Sequence, residues 1–314
     1  MPGNVETALA TMDAAQGLPM RLAHIQFYGY GAEGPRGFSS AAARLLEGFR
    51  RHPNITMDVG QVLFGQTVTM SGDGIAQFGR RGDASPNKWV MWDAECDGAG
   101  GVVPYRYREK SFVNGLQWAI GLEIFLLADD PRRVFFTTDH PNGAPFTRYP
   151  ELFRLLMDYQ YRLKCLEKLH PDVAALTLLK DLKKEFSLHE IAVMTRAAAA
   201  QVLGLADRGH LRPGTVADIV VYTERADQAA MFAAADLVFK DGELVVKDGE
   251  VIRRRPGTAQ IVRPEFDRRI ERDVQGYFDR FYSLKLKQFT GDAVPMNSPD
   301  GAPRFHPHPL QAVA

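Results

Sequence analysis

The sequence is poor in cysteine, with only Cys96 and Cys165 among its 314 residues. Two thiols cannot build a disulfide framework or a zinc site made of paired CxxC motifs. Each cysteine is therefore predicted to be a structural thiol, as in a protein of the reducing cytoplasm.

The sequence also lacks an excess of charge, because 38 Lys and Arg balance 38 Asp and Glu. A neutral chain has no net field to hold nucleic acid or an anionic membrane. The longest apolar stretch, residues 115–128, contains Gln117 and Glu123 and is too short to span a bilayer. A basic and apolar secretion signal is missing at the start. We expect a cytoplasmic protein that acts on a small molecule, with no nucleic-acid or membrane partner.

Hydrophobic residues make up 45% of the chain, which is enough for one large or two modest domains. A strand is predicted over "MRLAHIQFYGYG", with apolar residues on one face and His24 on the other. Helices are predicted near 39–51 and 114–127, and a strand is predicted at 134–138, just before Asp139. This alternation of strand and helix predicts a parallel α/β architecture.

The pattern changes after residue 150. Residues 151–203 are predicted to be helical, and residues 204–262 form short β segments with Asp-Gly turns that predict a tight hairpin. A helix with an aromatic stripe is predicted at 263–286, followed by a loose proline-rich tail. The glycine-rich residues 71–110 are predicted to be a long excursion. The predicted domains are 1–203, 204–262 and 263–314.

Asp139 and His140 stand where an apolar strand leaves the predicted sheet, in "FFTTDHPNGAPFTRYP". Asp139 with the Pro-Asn-Gly that follows is also what an ordinary strand-ending turn looks like, and the residues alone favour the turn. His24 is open between a hydrogen-bonded core histidine and a ligand.

Two further passages resemble a known family. "TRAAAAQVLGLADRGHLRPGTVADIVVY" resembles the passage from the barrel to the β domain in the amidohydrolase superfamily. "LAHIQFYGYG" together with "FFTTDHPNGAPFTRYP" narrows the resemblance to the A-type subunits of formylmethanofuran dehydrogenase and of the related bacterial formyltransferase/hydrolase complex. The similarity runs from Pro2 to about Ser298.

The resemblance implies a (β/α)8 barrel followed by a small β domain, with two zinc ions bridged by a carboxylated lysine. It implies metal-dependent hydrolysis or formation of the N-formyl amide of methanofuran, the C1 carrier, with formate as the other product. The other subunits of the complex would be the partners. By the same match Asp139 is a metal ligand and the catalytic group, His24 is a metal ligand, and His140 and Asn142 face the substrate or support the ligands. A carboxylate at the carboxyl end of a barrel strand faces the active-site mouth, which suits Asp139 to that role.

The sequence departs from the family pattern before its first strand. An eight-unit barrel needs about 250 residues, whereas the strands up to Asp139 leave room for about three units. No HxH pair stands on a first barrel strand, and no lysine stands where the carboxylated one belongs. His306 and His308 form an HxH pair only in the proline-rich tail, where metal binding is not expected. We expect a partial barrel of about strands 6 to 8, which alone binds metal weakly or is inactive.

Two other functions stay open at this stage. The β-domain passage alone would fit another amidohydrolase, such as a dihydroorotase-like enzyme or an N-acyl amino acid hydrolase. A non-catalytic scaffold subunit would use the aromatic helix and the glycine-rich excursion to bind other subunits.

Overall fold

The strands of the computed structural model are mostly short. The described residues are 3–71, 73–83, 101–255, 260–282, 285–288 and 304–308. In chain order the strands are β1 (Met20–Leu22), β2 (Tyr30–Gly31), β3 (Ser39–Ser40), β4 (Ile55–Asp58), β5 (Gly65–Ser71), β6 (Gly101–Tyr107), β7 (Val134–Phe135), β8 (Ile219–Val221), β9 (Leu237–Lys240), β10 (Glu243–Lys247), β11 (Glu250–Val251), β12 (Gln260–Pro264) and β13 (Arg304–His308).

The helices occupy most of the segments between the strands. In chain order they are α1 (Val5–Ala14), α2 (Ala42–Arg50), α3 (Gly74–Gly79), α4 (Phe112–Leu127), α5 (Tyr149–Met157), α6 (Tyr159–Leu166), α7 (Pro171–Leu176), α8 (Leu188–Ala192), α9 (Ala198–Val202), α10 (Gln228–Ala233) and α11 (Ile270–Phe281). Short 3-10 turns lie at Ile25–Tyr28, Pro35–Gly37, Arg81–Asp83, Phe146–Arg148 and Leu286–Gln288, and a π turn at Val193–Ala197 joins α8 to α9.

The contacts group the chain into two units, one of residues 1–69 and 104–250 and one of residues 70–103 and 251–314. The predicted domain boundaries at 203 and 262 stay predictions. Part of the predicted excursion, residues 84–100 with Cys96, lies outside the described residues. Cys165 is a half-buried free thiol.

A three-stranded parallel sheet lies in the core of the first unit, in the order β1-β4-β7. Met20 pairs with Ile55, and Met57 pairs with Val134. Ile55, Met57 and Val134 are fully buried, as expected for a sheet covered on both faces. The predicted parallel α/β arrangement is confirmed, and so are the predicted helices at 39–51 and 114–127, which are α2 and α4.

The predicted strand over "MRLAHIQFYGYG" is wrong beyond Leu22, where β1 ends. His24 takes a left-handed conformation with φ 53° and ψ 45°, and the 3-10 turn begins at Ile25. The alternating pattern suggested opposite faces for Ile25 and Gln26, yet both are buried in the turn. The left-handed residue reverses the chain immediately after β1, so His24 lies at the carboxyl end of the strand rather than along it.

Helix α4 is buried along almost its whole length, which explains its continuous apolar sequence. The hydroxyl of Ser111 caps its first turn by accepting a hydrogen bond from Asn114 N. Glu123 lies inside this apolar surface and accepts hydrogen bonds from the hydroxyls of Ser40 and Thr177 and from Leu178 N. Since a buried carboxylate without partners would be costly, these donors stabilise Glu123 in the core.

The helical block after residue 150 is confirmed, and its sequence signals work as predicted. Ser187 and Glu190 form a capping box at the start of α8. His170 caps α7 by accepting a hydrogen bond from Asp172 N, with Pro171 in the first turn.

An antiparallel four-stranded sheet follows, in the order β11-β10-β9-β8. Asp241 and Gly242 connect β9 to β10 with φ angles of 54° and 78°, and Asp248 and Gly249 follow β10 with 52° and 79°. Positive φ at both central residues is typical of type I′ turns. The tight hairpin predicted from the Asp-Gly pairs is confirmed.

Two predictions about the second unit are wrong. The predicted helix at 263–286 is shorter, because α11 covers only Ile270–Phe281, and residues 260–264 form β12. The tail is not loose throughout, because β13 pairs with β12 in parallel. This pairing joins segments that lie far apart in the sequence, so no local pattern indicated it. The aromatic stripe is present on α11, where Tyr277 and Phe281 are about half exposed.

Candidate active site

The carboxyl ends of the three parallel strands bring together the polar residues of the candidate site. His24 follows β1, Asp58 is the last residue of β4, and Asp139 follows β7. Parallel strands present their carboxyl ends at one edge of a sheet, so residues from three distant segments meet there.

His24 lies between two carboxylates. Its Nδ1 is 2.8 Å from Asp58 Oδ1, and its Nε2 is 3.2 Å from Asp139 Oδ1. The exposed fractions of the side chains are 38% for His24, 8% for Asp58 and 23% for Asp139, so the site opens on the side of His24 and Asp139. The structure therefore places together His24 and Asp139, the two residues that the family resemblance assigns as metal ligands.

The electrostatics of the pair follow from this geometry. The hydrogen bond to Asp58 raises the pKa of His24 above its ordinary value, against the opposing effect of burial. Burial by itself raises the pKa of Asp58, but hydrogen bonds from His24 and Thr137 outweigh it, so the net pKa is lowered. Asp58 therefore stays an anion that fixes one side of the imidazole.

Asn142 contacts the second oxygen of Asp139. Its Nδ2 donates to Asp139 Oδ2, and its Oδ1 accepts from the hydroxyl of Thr69. The backbone of Asn142 and Gly143 also donates to the carbonyl of Asp139, which has φ 49°. The strand-ending turn and the candidate site are thus the same feature, because the turn is what orients the Asp139 carboxylate.

His140 is placed differently from the other predicted site residues. Its side chain is exposed, and its Nδ1 accepts a hydrogen bond from Phe146 N at 3.1 Å. Its ring also makes an edge contact with Phe146, with centroids 5.1 Å apart. Within the described part of the chain the ring makes no hydrogen bond to His24 or Asp139. It lies at the rim of the site and not inside it.

The sequence analysis missed Asp58, Thr137 and Gly60. Thr137 donates its hydroxyl hydrogen to Asp58 Oδ1 and accepts from Gly60 N at 2.8 Å. Gly60 has φ 68°, and a Cβ there would lie 2.8 Å from the Cβ of His24. A signal for Asp58 was available, because "ITMD" is an apolar run that ends in a carboxylate, as the run before Asp139 does.

The donor set falls short of the needs of a catalytic zinc, which normally has three protein ligands. His24 Nε2 and Asp139 Oδ1 face one another at a distance that a shared cation suits. Among the described residues, no group of three or more His, Cys, Asp and Glu lies close enough to hold a metal ion. These residues therefore offer two ligands but do not complete a zinc site.

Among the described residues, no helix combines the length and the apolar character that crossing a bilayer requires.

Comparison with known proteins identifies related sequences. Residues 2–253 match the profile of the amidohydrolase family. The chain is 46% identical over 300 residues to FhcA of the formyltransferase/hydrolase complex of Methylorubrum extorquens, which covers 94% of this chain and 54% of that protein. It is 37% identical over 311 residues to Protein FwdA of Methanocaldococcus jannaschii, which covers 92% of this chain and 54% of that protein.

A solved structure is similar as well. The chain superposes with a TM-score of 0.81 on a chain from the crystal structure of the formyltransferase/hydrolase complex FhcABCD of Methylorubrum extorquens in complex with methylofuran. The identity is 42%, and the match covers 99% of this chain and 57% of that chain. The chain thus spans about half the length of the relatives that it matches.

Proposed function

Because the chain belongs to the amidohydrolase family, we propose that it contributes catalytic residues to the hydrolysis or formation of the N-formyl amide of a methanofuran-type carrier. The observation that carries this proposal is the 3.2 Å approach of His24 Nε2 to Asp139 Oδ1 at the carboxyl ends of parallel strands. It is supported by 46% identity to a formyltransferase/hydrolase subunit.

Hydrolysis of an N-formyl amide forms a bond between water oxygen and the formyl carbon and breaks the bond from that carbon to nitrogen. Asp139 acts as the general base that accepts a proton from the attacking water. The same proton then passes to the amine nitrogen as it leaves, and the formyl group departs as formate. A positioned general base typically contributes about 10²- to 10⁴-fold to the rate.

The neighbours of Asp139 have supporting roles in this proposal. Asn142 holds Oδ2 of the carboxylate, so Oδ1 stays directed towards His24. His140, at the rim of the site, contacts the bound substrate. The open side of His24 and Asp139 admits the formyl group.

We further propose that His24 and Asp139 belong to the zinc centre that the family resemblance implies, with two ions in the complete protein. Since the described residues supply two ligands only, the proposed proton transfers are assigned to the side chains alone. The parallel strands β1, β4 and β7 would correspond to about strands 6 to 8 of a (β/α)8 barrel, and the antiparallel sheet to the small β domain. The partners would be the other subunits of such a complex, in the cytoplasm.

The test is release of formate by the purified protein, together with the other subunits where they co-purify. The N-formyl derivative of a methanofuran-type carrier is compared with an N-acyl amino acid and with dihydroorotate. Turnover of the formyl carrier alone supports the proposal. Turnover of either comparison substrate in its place would identify another amidohydrolase, and no turnover of any substrate would indicate a scaffold subunit.

A further inference from the structure

Asp58 is the buried carboxylate of the candidate site, and the proposed proton transfers do not use it. It closes the middle strand of the parallel sheet, and its side chain is 8% exposed. A carboxylate at this depth is stable only when its oxygens are satisfied by donors.

One oxygen of Asp58 receives three hydrogen bonds. Oδ1 accepts from His24 N at 3.0 Å, from His24 Nδ1 at 2.8 Å and from the hydroxyl of Thr137. Two of these donors belong to the same residue, so Asp58 holds both the backbone and the ring of His24. This double contact also explains how the left-handed turn at His24 is stabilised immediately after β1.

The direction of the Thr137 hydroxyl is fixed by its other neighbour. Gly60 N donates to Thr137 Oγ1 at 2.8 Å, which occupies a lone pair of that oxygen. The single hydroxyl hydrogen is then available for Asp58 Oδ1. Thr137 thus keeps the carboxylate in the orientation that meets His24.

The protonation pattern of the His24 ring follows from these contacts. An ionised carboxylate can only accept hydrogen bonds, so the nitrogen that faces Asp58 must carry hydrogen. Whenever the ring is neutral, the bare nitrogen is then Nε2, the atom that lies 3.2 Å from Asp139 Oδ1. A histidine whose second nitrogen donates to a carboxylate has a fixed tautomer and ring orientation.

Gly60 limits the ring from another side. A Cβ on Gly60 would lie 2.8 Å from the Cβ of His24 and 3.0 Å from its Nδ1. The His24 side chain therefore packs directly on the glycine backbone, and it cannot shift in that direction.

We propose that Asp58 is the positioning residue of the site, which keeps hydrogen on His24 Nδ1 and directs the lone pair of Nε2 towards Asp139. This inference deepens the proposed function, since it concerns the group that orients His24. It makes a specific statement about one ring, and that statement is measurable without turnover.

The experiment uses the full protein labelled with ¹⁵N-histidine. Two-bond ¹H–¹⁵N correlation spectra distinguish protonated from bare ring nitrogens, and the signals absent from His24→Gln identify His24. At a pH where the ring is neutral, the expected result is a protonated Nδ1 and a bare Nε2. In Asp58→Ala, the ratio of the Nδ1-protonated to the Nε2-protonated ring should fall about tenfold or more, as expected for loss of a hydrogen bond to a charged group.

Two further variants keep the result decisive if Asp58→Ala fails to fold. Asp58→Asn has nearly the same shape and retains an acceptor oxygen, so it should give a smaller shift in the same direction. Asp13→Asn is the matched control, because Asp13 Oδ1 pairs with His52 Nε2 at 3.0 Å elsewhere on the chain. It should leave the His24 signals unchanged.

A wild-type ring with a bare Nδ1 would overturn the inference. An unchanged ratio in folded Asp58→Ala, or in Asp58→Asn where the alanine variant does not fold, would also overturn it. These outcomes are separable from a failure of the proposed function. If no formate is released and the tautomer still follows Asp58, the positioning role stands and the proposed reaction fails. If formate is released and the tautomer ignores Asp58, the reverse holds.

Discussion

Oδ1 of Asp139 lies 3.2 Å from Nε2 of His24, although the two residues end different strands of the parallel sheet. A carboxylate and an imidazole nitrogen approach this closely when they share a cation, which is a proton or a metal ion. The pair therefore links the fold, which supplies the two strand ends, to the proposed chemistry.

Removal of Asn142 should weaken the site without abolishing it. In Asn142→Ala the Asp139 carboxylate loses the donor to Oδ2, so its orientation becomes less defined. We expect the rate of formate release to fall about 10- to 100-fold, the usual effect of removing a group that orients a ligand. Steady-state kinetics of the purified protein measure it.

Thr69→Val provides the comparison for Asn142→Ala, because it removes only the hydroxyl that donates to Asn142. Its effect should have the same direction and be smaller. An Asn142→Ala variant with wild-type turnover would show that the turn does not orient Asp139.

Replacement of His24 should lower the metal content of the protein. His24→Ala removes Nε2 and leaves Asp139 without its neighbour, so we expect less zinc per chain in protein purified in the presence of zinc. His52→Ala is the control, since His52 pairs with exposed Asp13 away from the site. Atomic emission measures the zinc, and equal zinc in both variants would make His24 a structural histidine.

Gly60→Ala should destabilise the protein by about 1 to 3 kcal/mol, because a Cβ would press on His24 and the backbone has positive φ. Gly204→Ala is the matched control, since Gly204 has φ 70° and nothing lies within 4 Å of the added Cβ. Chemical denaturation measures both free energies of unfolding. A cost for Gly60→Ala no larger than that for Gly204→Ala would mean that backbone strain explains it and the contact with His24 does not.

Glu123 should give the protein a pH-dependent stability. Burial raises the pKa of Glu123 above its ordinary value of 4.5, although hydrogen bonds from Ser40, Thr177 and Leu178 oppose the shift. As the pH rises above that value, the unfolded chain loses the proton before the folded chain does. The contribution of Glu123 to the free energy of unfolding therefore decreases until the pH exceeds the folded-state pKa.

Glu123→Gln removes this titration, so the difference in unfolding free energy between wild type and variant should change in favour of the variant as the pH rises. Glu167→Gln, at an exposed position, should show a nearly constant difference from wild type. Urea denaturation at several pH values makes the comparison. A pH-independent difference for Glu123→Gln would show that the carboxylate titrates alike in both states.

The parts of the fold that could be predicted from the sequence are those with a local signal. The capping box at Ser187 and Glu190, the Asp241-Gly242 turn and the apolar helix α4 each carry their signal within a few residues. The pairing of β12 with β13 joins distant segments and has no such signal.

The candidate site shows the same limit. Asp139 and His24 were assigned because their surroundings resemble a known family, whereas Asp58 stands in a short apolar run with no motif around it. Its role depends on three donors from two other segments, His24 and Thr137. The left-handed turn at His24 depends on the same contacts, which is why an alternating pattern was misread there as a longer strand.

The most direct test of the central claim is the rate of formate release by Asp139→Asn from the N-formyl derivative of a methanofuran-type carrier. Asparagine keeps the shape of the side chain but cannot accept the proton of water, so the rate should fall about 10²- to 10⁴-fold while thermal unfolding stays cooperative. Asp129→Asn, at an exposed carboxylate paired with Arg50, should keep the wild-type rate. An Asp139→Asn variant that releases formate as fast as the Asp129→Asn control would contradict the account.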